Sequence, residues 1–316
     1  MQPQSSLCLL AVHAHPDDEV VSMGGTLPLY ADRGVRTVLV TCTRGEEGEI
    51  VDAELKARIA DSAPDVATAQ EALAIERADE LAKAVAILRI SQAYQLGYRD
   101  SGMAESTANQ NPRAFTNVVV PDATARLIEI VRRERPQVMV SYNEVGGYGH
   151  PDHIMAHRIA LLAYMGANNT EVYPQLSDET PPWQPLKFYY TANSRDHFRR
   201  MHEEAVKAGV TLPFGGQIAE QERSILRGEP IDPEHPQRPP FGVAEDSITS
   251  FIDVQEYLTT KRAAMQAHRT QLAPDRFMLS MDDKTALRIF GNEYFTLVRS
   301  RVVTIWPEDD LFNGIE

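Results

Sequence analysis

Two apolar runs, Leu7–Val12 and Val35–Cys42, bracket a segment in which Val20, Leu27 and Tyr30 recur at helical spacing before Gly34. Strand, helix and strand within about 35 residues make a βαβ unit, which commits the chain to parallel pairing and a right-handed crossover. The alternation continues. A helix is predicted over Glu71–Arg89, a strand over Ala93–Leu96, a helix from Pro121 to Arg135, a strand over Val138–Tyr142 and a helix from Pro151 to Met165. This order predicts an α/β fold with an open, mostly parallel sheet flanked by helices. Val20–Arg33 reads as one helix, Val51–Gln70 as irregular chain or a short helix around Pro64, and Met103–Asn117 as a surface excursion. Further on, Lys187–Thr191, Ser247–Val254 and Tyr294–Val303 read as strands, and Asp196–Ala208 and Glu256–Arg269 as helices. Gly209–Gly242, rich in proline, glycine and charge, reads as a long loop or lid. Residues 1–192 are expected to form the catalytic domain. Residues 193–316 form a smaller C-terminal α+β extension, packed as part of the same unit.

In open sheets of this kind, ligands sit beyond the carboxyl ends of strands, where the strand order reverses. Two related clusters fall at such ends. Val12-His-Ala-His-Pro-Asp-Asp-Glu19 follows the first strand, and Gly146-Gly-Tyr-Gly-His-Pro-Asp-His153 follows the fourth. A single His-Pro-Asp-Asp is ordinarily a polar turn whose aspartates cap the next helix. A second His-Pro-Asp in the same context makes the pair read as two halves of one metal site. A hydrolytic zinc site takes three ligands from His, Asp or Glu and leaves one position for water. His15 and Asp18 supply two of them from one turn, and His153 completes the set. Asp17 can accept a proton from the activated water. Tyr148 and His150 can donate to an oxyanion or to a leaving amine, and Asp152 can set the tautomer of His150. His157 and His13 read as packed histidines, and Glu46, Glu47 and Glu49 as a solvated acidic loop.

A net charge of −14 over 316 residues argues against nucleic acid or an anionic membrane as partner. No run approaches the roughly 20 apolar residues of a membrane helix. The N-terminus carries no basic stretch leading into a long apolar run, so the expected compartment is the cytoplasm. Cys8 and Cys42, both inside strand-like runs, read as reduced core thiols. No Gly-x-Gly-x-x-Gly follows the first strand and no Gly-x-Ser-x-Gly occurs, which disfavours nicotinamide chemistry and a serine nucleophile.

The pair Ala14-His-Pro-Asp-Asp-Glu19 and His150-Pro-Asp-His153 resembles the PIG-L, or LmbE-like, family of zinc-dependent N-deacetylases. Within it the chain is most like the mycothiol-pathway members, the N-acetylglucosaminyl-inositol deacetylases and the mycothiol S-conjugate amidases. Val40–Glu49, Asp100–Met103, Gly146–His150 and Ala267–Gln271 add to the likeness. The resemblance implies a Rossmann-like fold and one Zn²⁺ per chain, or Fe²⁺, on His15, Asp18 and His153. It implies Asp17 as general base, His150 as general acid supported by Asp152, and Tyr148 polarising the amide carbonyl. It places Arg77 and Asp100 at the hydroxyls of a small amino-sugar substrate. The implied activity is removal of acetyl from an N-acetylglucosamine-containing small molecule. The alternatives are cleavage of the glucosamine–cysteinyl amide of a thiol conjugate, and non-catalytic sugar binding. Met23 and Gly149 favour the deacetylases, whereas Ser300–Glu316 is more like the amidases.

Overall fold

The structure, a computed structural model, describes residues 7–173, 180–209, 215–228, 241–273 and 279–315. Its strands are β1 (Cys8–His13), β2 (Arg36–Thr43), β3 (Gln92–Tyr98), β4 (Val138–Ser141), β5 (Lys187–Ala192), β6 (Ser250–Asp253) and β7 (Asn292–Ser300). They form one sheet in the order β3-β2-β1-β4-β5-β7-β6. The strands from β1 to β5 pair in parallel, and β7 runs antiparallel to both β5 and β6. From β1 the chain winds outward through β2 and β3, then returns to place β4 on the other side of β1. The carboxyl ends of β1 and β4 are therefore neighbours, in register through Leu9–Val138, Leu10–Met139 and Ala11–Val140. This is the crevice where the strand order reverses.

The helices are α1 (Asp18–Met23), α2 (Thr26–Asp32), α3 (Ala53–Ser62), α4 (Val66–Ile87), α5 (Val120–Glu134), α6 (Gly146–Gly149), α7 (Pro151–Gly166), α8 (Arg195–Ala208), α9 (Gly215–Arg227), α10 (Leu258–Ala267) and α11 (Asp283–Phe290). Alternation along β1 divides the core. Leu9 and Ala11 join Leu27, Leu81 and Met265 on one face, while Leu10 and Val12 join Leu127, Ile159 and Ala160 on the other. Helices α1, α2, α4 and α10 thus cover one side of the sheet, and α5 and α7 the other. All six residues of β1 are buried, and trimming a core leucine such as Leu10 to alanine costs about 2–5 kcal/mol. Both cysteines are free and buried.

Four sequence expectations need correction. Val20–Arg33 is two helices, because Gly24 and Gly25 break it and Glu293 accepts from the N–H groups of Gly25 (2.9 Å) and Thr26 (2.8 Å), starting α2 afresh. Val51–Gln70 is mostly helical: Asp52 and Asp65 each cap a helix by accepting from the backbone three residues on. The 209–242 stretch contains helix α9, which packs on α8 with Ile218 and Gln221 buried. Residues 210–214 and 229–240 of that stretch lie outside the described residues. Finally, α11 was not predicted, although Asp282 caps it and Ala286, Ile289 and Phe290 are buried.

The C-terminal extension contributes β6 and β7 to the same sheet. Its tail returns to the parallel half: Lys187 Nζ pairs with Glu308, both side chains fully buried. Glu308 also accepts from the hydroxyls of Tyr189 at 2.8 Å and Ser250 at 3.0 Å.

Candidate active site

The turn after β1 and the turn after β4 face each other across the crevice. The first strand ends at His13, Pro16 sits in the turn that follows, and the Asp18 carboxylate folds back to accept from the His15 N–H at 2.8 Å. After β4, Gly146 and Gly147 adopt φ of +65° and +77°, which a side chain seldom tolerates. A Cβ on Gly146 would stand 2.7 Å from His153 Cβ. The glycine thus lets α7 begin directly beneath the turn, with Pro151 in its first turn and His153 facing the crevice.

Three donor groups meet there. His15 Nδ1 lies 3.3 Å from His153 Nε2 and 3.5 Å from Asp18 Oδ2, and His153 Nε2 lies 3.5 Å from Asp18 Oδ1. Donors about 2.0–2.1 Å from a tetrahedral ion stand roughly 3.3–3.4 Å from one another. The three groups therefore outline one face of a tetrahedron of zinc size, and the residues fit the ion. Their tautomers agree. His15 Nε2 faces Asp152 Oδ2 at 3.2 Å and Asp100 Oδ1 at 3.7 Å, so its hydrogen belongs there and Nδ1 keeps the lone pair. His153 Nδ1 donates to the Gly146 carbonyl at 3.1 Å, leaving Nε2 to bind. The Tyr142 hydroxyl donates to Asp18 Oδ2 at 2.7 Å.

His150 brings a third ring nitrogen within 4.8 Å of those of His15 and His153, but its tautomer sets it apart. Its Nδ1 accepts from the Asp152 N–H at 3.2 Å, so the neutral ring carries its hydrogen on Nε2. Binding an ion through Nε2 would require an imidazolate. His150 is a hydrogen donor here, not a ligand.

Electrostatics follow burial and the carboxylates. Burial alone would lower the His15 pKa, but Asp100, Asp152 and Asp18 outweigh it and raise it well above the ordinary value, so an ion binding at Nδ1 displaces a proton there while the one on Nε2 stays with Asp152. Burial would raise Asp18, yet His153 and His15 hold it well below the carboxylate range. Burial, with His15 and His153 nearby, pushes His150 down to about 3. Burial lifts Asp17 to about 6 against the pull of Arg77, and it raises Tyr148, which stays protonated.

Asp17, Asp18, Tyr148 and His153 line one cavity of about 690 Å³, and Phe198, Met201, Ile218, Phe241, Met265 and Phe290 line it too, together with polar groups such as Asn193, Arg195 and Gln271. Arg77 and Asp100, expected at substrate hydroxyls, are instead 2% and 3% exposed. Arg77 donates to the carbonyls of Pro16 and Gly45 at 2.6 and 2.7 Å, and Asp100 backs His15. Asp152 is fully buried, and its carboxylate serves His15 and Ser101, not His150. It sets the His150 tautomer through its backbone N–H. Glu46, expected in solvent, is buried and accepts from the Asp100 N–H at 3.2 Å. Sequence reasoning missed Tyr142 and Ser101. Tyr142 had only its place directly after β4 as a signal, whereas Ser101 lay in Asp100–Met103, a segment that carries part of the family likeness but points to no role for the serine.

The profile described as PIG-L, GlcNAc-PI de-N-acetylase, matches residues 10–164. A 1D-myo-inositol 2-acetamido-2-deoxy-alpha-D-glucopyranoside deacetylase of Acidothermus cellulolyticus is 39% identical, over 98% of this chain and 95% of the relative. A protein of the same name from Geodermatophilus obscurus is 36% identical, over 97% of each. Among solved structures, the N,N′-diacetylchitobiose deacetylase of Pyrococcus horikoshii superimposes with a TM-score of 0.59 at 18% identity, over 93% of this chain and 84% of that one, a likeness of fold. Near-full-length identity to such relatives, together with the paired His-Pro-Asp turns, makes this chain a member of the PIG-L family of de-N-acetylases.

Proposed function

We propose that the chain is a zinc-dependent deacetylase that removes acetyl from N-acetylglucosamine joined to inositol. The observation that carries this reading is the tetrahedral face of His15, Asp18 and His153, of which Asp18 and His153 line the same cavity as Asp17. The named relatives supply the substrate class. A bound zinc ion would supply Lewis acidity toward the amide carbonyl and lower the pKa of water at the site to about 7. Asp17 takes the proton of the attacking water. A carboxyl near 6 accepts a proton at neutral pH and can give it up again, so Asp17 is also the source of the proton returned to the departing amine. Tyr148, protonated and on the cavity wall, donates to the carbonyl oxygen. Neutral His150 adds a second hydrogen bond from Nε2 to the developing charge. Its expected role as an imidazolium acid fits poorly with an Nδ1 already taken by the Asp152 N–H.

The apolar side chains in the cavity lining favour a second reading, cleavage of the glucosamine–cysteinyl amide of a thiol conjugate, because they suit an apolar substituent better than hydroxyls. Zinc-loaded protein should be assayed side by side on N-acetylglucosaminyl-inositol and on a thiol conjugate. The first reading predicts the higher kcat/KM with acetate as the product; faster cleavage of the conjugate contradicts it. The compartment we assign is the cytoplasm, with a small soluble substrate. No helix among the described residues is long and apolar enough to cross a membrane.

A further inference from the structure

Asp17 holds a backbone conformation that side-chain-bearing residues seldom adopt, φ 129° and ψ −25°. Such strain persists only where the surroundings over-determine it. Here two side chains do so. The Asp17 N–H donates to Glu19 Oε2 at 3.0 Å. Arg77 Nη2 donates to the preceding carbonyl, that of Pro16, at 2.6 Å and lies 3.3 Å from Asp17 Oδ1.

Each holder is itself held. Glu19 Oε1 lies 2.7 Å from His268 Nε2, with both side chains fully buried. Glu80 fixes the segment beyond His268 by accepting from the Thr270 N–H at 2.8 Å and its hydroxyl at 2.6 Å. Arg77 reaches Pro16 through a gap that only glycine leaves open. A Cβ on Gly45 would stand 2.3 Å from Arg77 Nη1, and one on Gly48 2.7 Å from it. Desolvating a guanidinium and an acid–imidazole pair is expensive. A glycine at position 17 would take up the same φ without any of them. The apparatus has a purpose only if the residue at this turn must be an aspartate.

We propose that Glu19, backed by His268, and Arg77, passed between Gly45 and Gly48, are positioning residues that clamp Asp17 and aim its carboxylate at the attacking water. The proposal rests on the reading of Asp17 as the base. It gives a task to two segments the chemistry otherwise leaves unused, Gly45–Gly48 and His268–Gln271. None of the three side chains reaches substrate, since Arg77 is 2% exposed and Glu19 and His268 are fully buried.

The test compares His268→Gln, Glu19→Gln and Arg77→Lys, alone and combined with Asp17→Asn, by kcat, KM, bound zinc and crystal structure. Each clamp variant is expected to lose about ten- to a hundredfold in kcat, with KM changed by less than about twofold and zinc content kept. Crystals of the His268→Gln protein are expected to show Asp17 leaving positive φ. In the Asp17→Asn background the same changes should cost less than about twofold more, because the group they aim is gone. Gly48→Ala, which crowds Arg77 from the loop side, carries the same expectation if a buried variant does not fold. Parental kcat in the clamp variants beside an inactive Asp17→Asn refutes the clamp and leaves the base reading intact. Losses that multiply undiminished in the Asp17→Asn background also refute it. Parental turnover by Asp17→Asn itself overturns both.

Discussion

His150 shows how a single hydrogen bond decides a residue's task. Its Nδ1 is occupied by the Asp152 N–H, so the ring can offer hydrogen from Nε2 only while it stays neutral. A neutral amide can imitate that donor. His150→Gln is therefore expected to keep at least about tenfold more turnover than His150→Ala; equal loss in steady-state assays would instead mark the ring as the proton source. The turns that carry His15, Asp18 and His153, the ligands we propose, are legible because His-Pro-Asp occurs twice at strand ends. The supporting groups are not. Tyr142 meets Asp18 across 124 positions of sequence, Ser101 meets Asp152 across 51 and His268 meets Glu19 across 249. Asp100–Met103 and Ala267–Gln271 carry part of the family likeness, yet nothing in either segment names a partner so far away in sequence.

At the level of elements, strands and long helices followed from periodicity, and the errors lie where tertiary contacts override it. At the α1–α2 break Glu293, arriving from β7, caps the second helix, and Gly25 lets Val254 pack against the turn, since a Cβ there would stand 2.5 Å from Val254 Cβ. Nothing within Val20–Arg33 announces either partner. The α3–α4 segment differs for another reason: Pro64 interrupts only the short link between two helices, each opened by a capping aspartate, Asp52 and Asp65. The turn α6 has a direct consequence for the site. Gly146→Ala would place a methyl 2.7 Å from His153 Cβ and 2.9 Å from the Ile154 nitrogen, at a residue with φ +65°. Moving His153 should weaken zinc binding by about ten- to a hundredfold, the scale seen for losing a group that orients a ligand. Competition with a chromophoric chelator measures this; unchanged affinity would show that the turn does not set the ligand's position.

Across the whole molecule, the site exists because two strands far apart in sequence lie side by side. The βαβ start predicted parallel pairing, and chain reversal at β1 and β4 brings the two turns together. What the sequence did not convey is how closely the extension is tied to the first half. Lys187 and Glu308 form a buried ion pair across that boundary, joined by Tyr189 and Ser250. Removing one partner leaves the other charge buried and alone. Glu308→Ala should cost about 3–5 kcal/mol within a single thermal transition seen alike by circular dichroism and fluorescence. Two separate transitions in the parent would contradict one cooperative unit.

The central claim is that His15, Asp18 and His153 present an ion to the same cavity in which Asp17 moves the proton. Acetate release from N-acetylglucosaminyl-inositol by zinc-loaded parent and Asp17→Asn, measured across pH, tests it most directly. The base form of Asp17 grows as pH rises, so parental kcat/KM should climb through the region near pH 6 that burial sets for this carboxyl. Asp17→Asn should bind zinc as the parent does, yet lose about 10²–10⁴-fold in turnover at every pH. Parental turnover by Asp17→Asn, with zinc bound and the same rise with pH, would contradict the account.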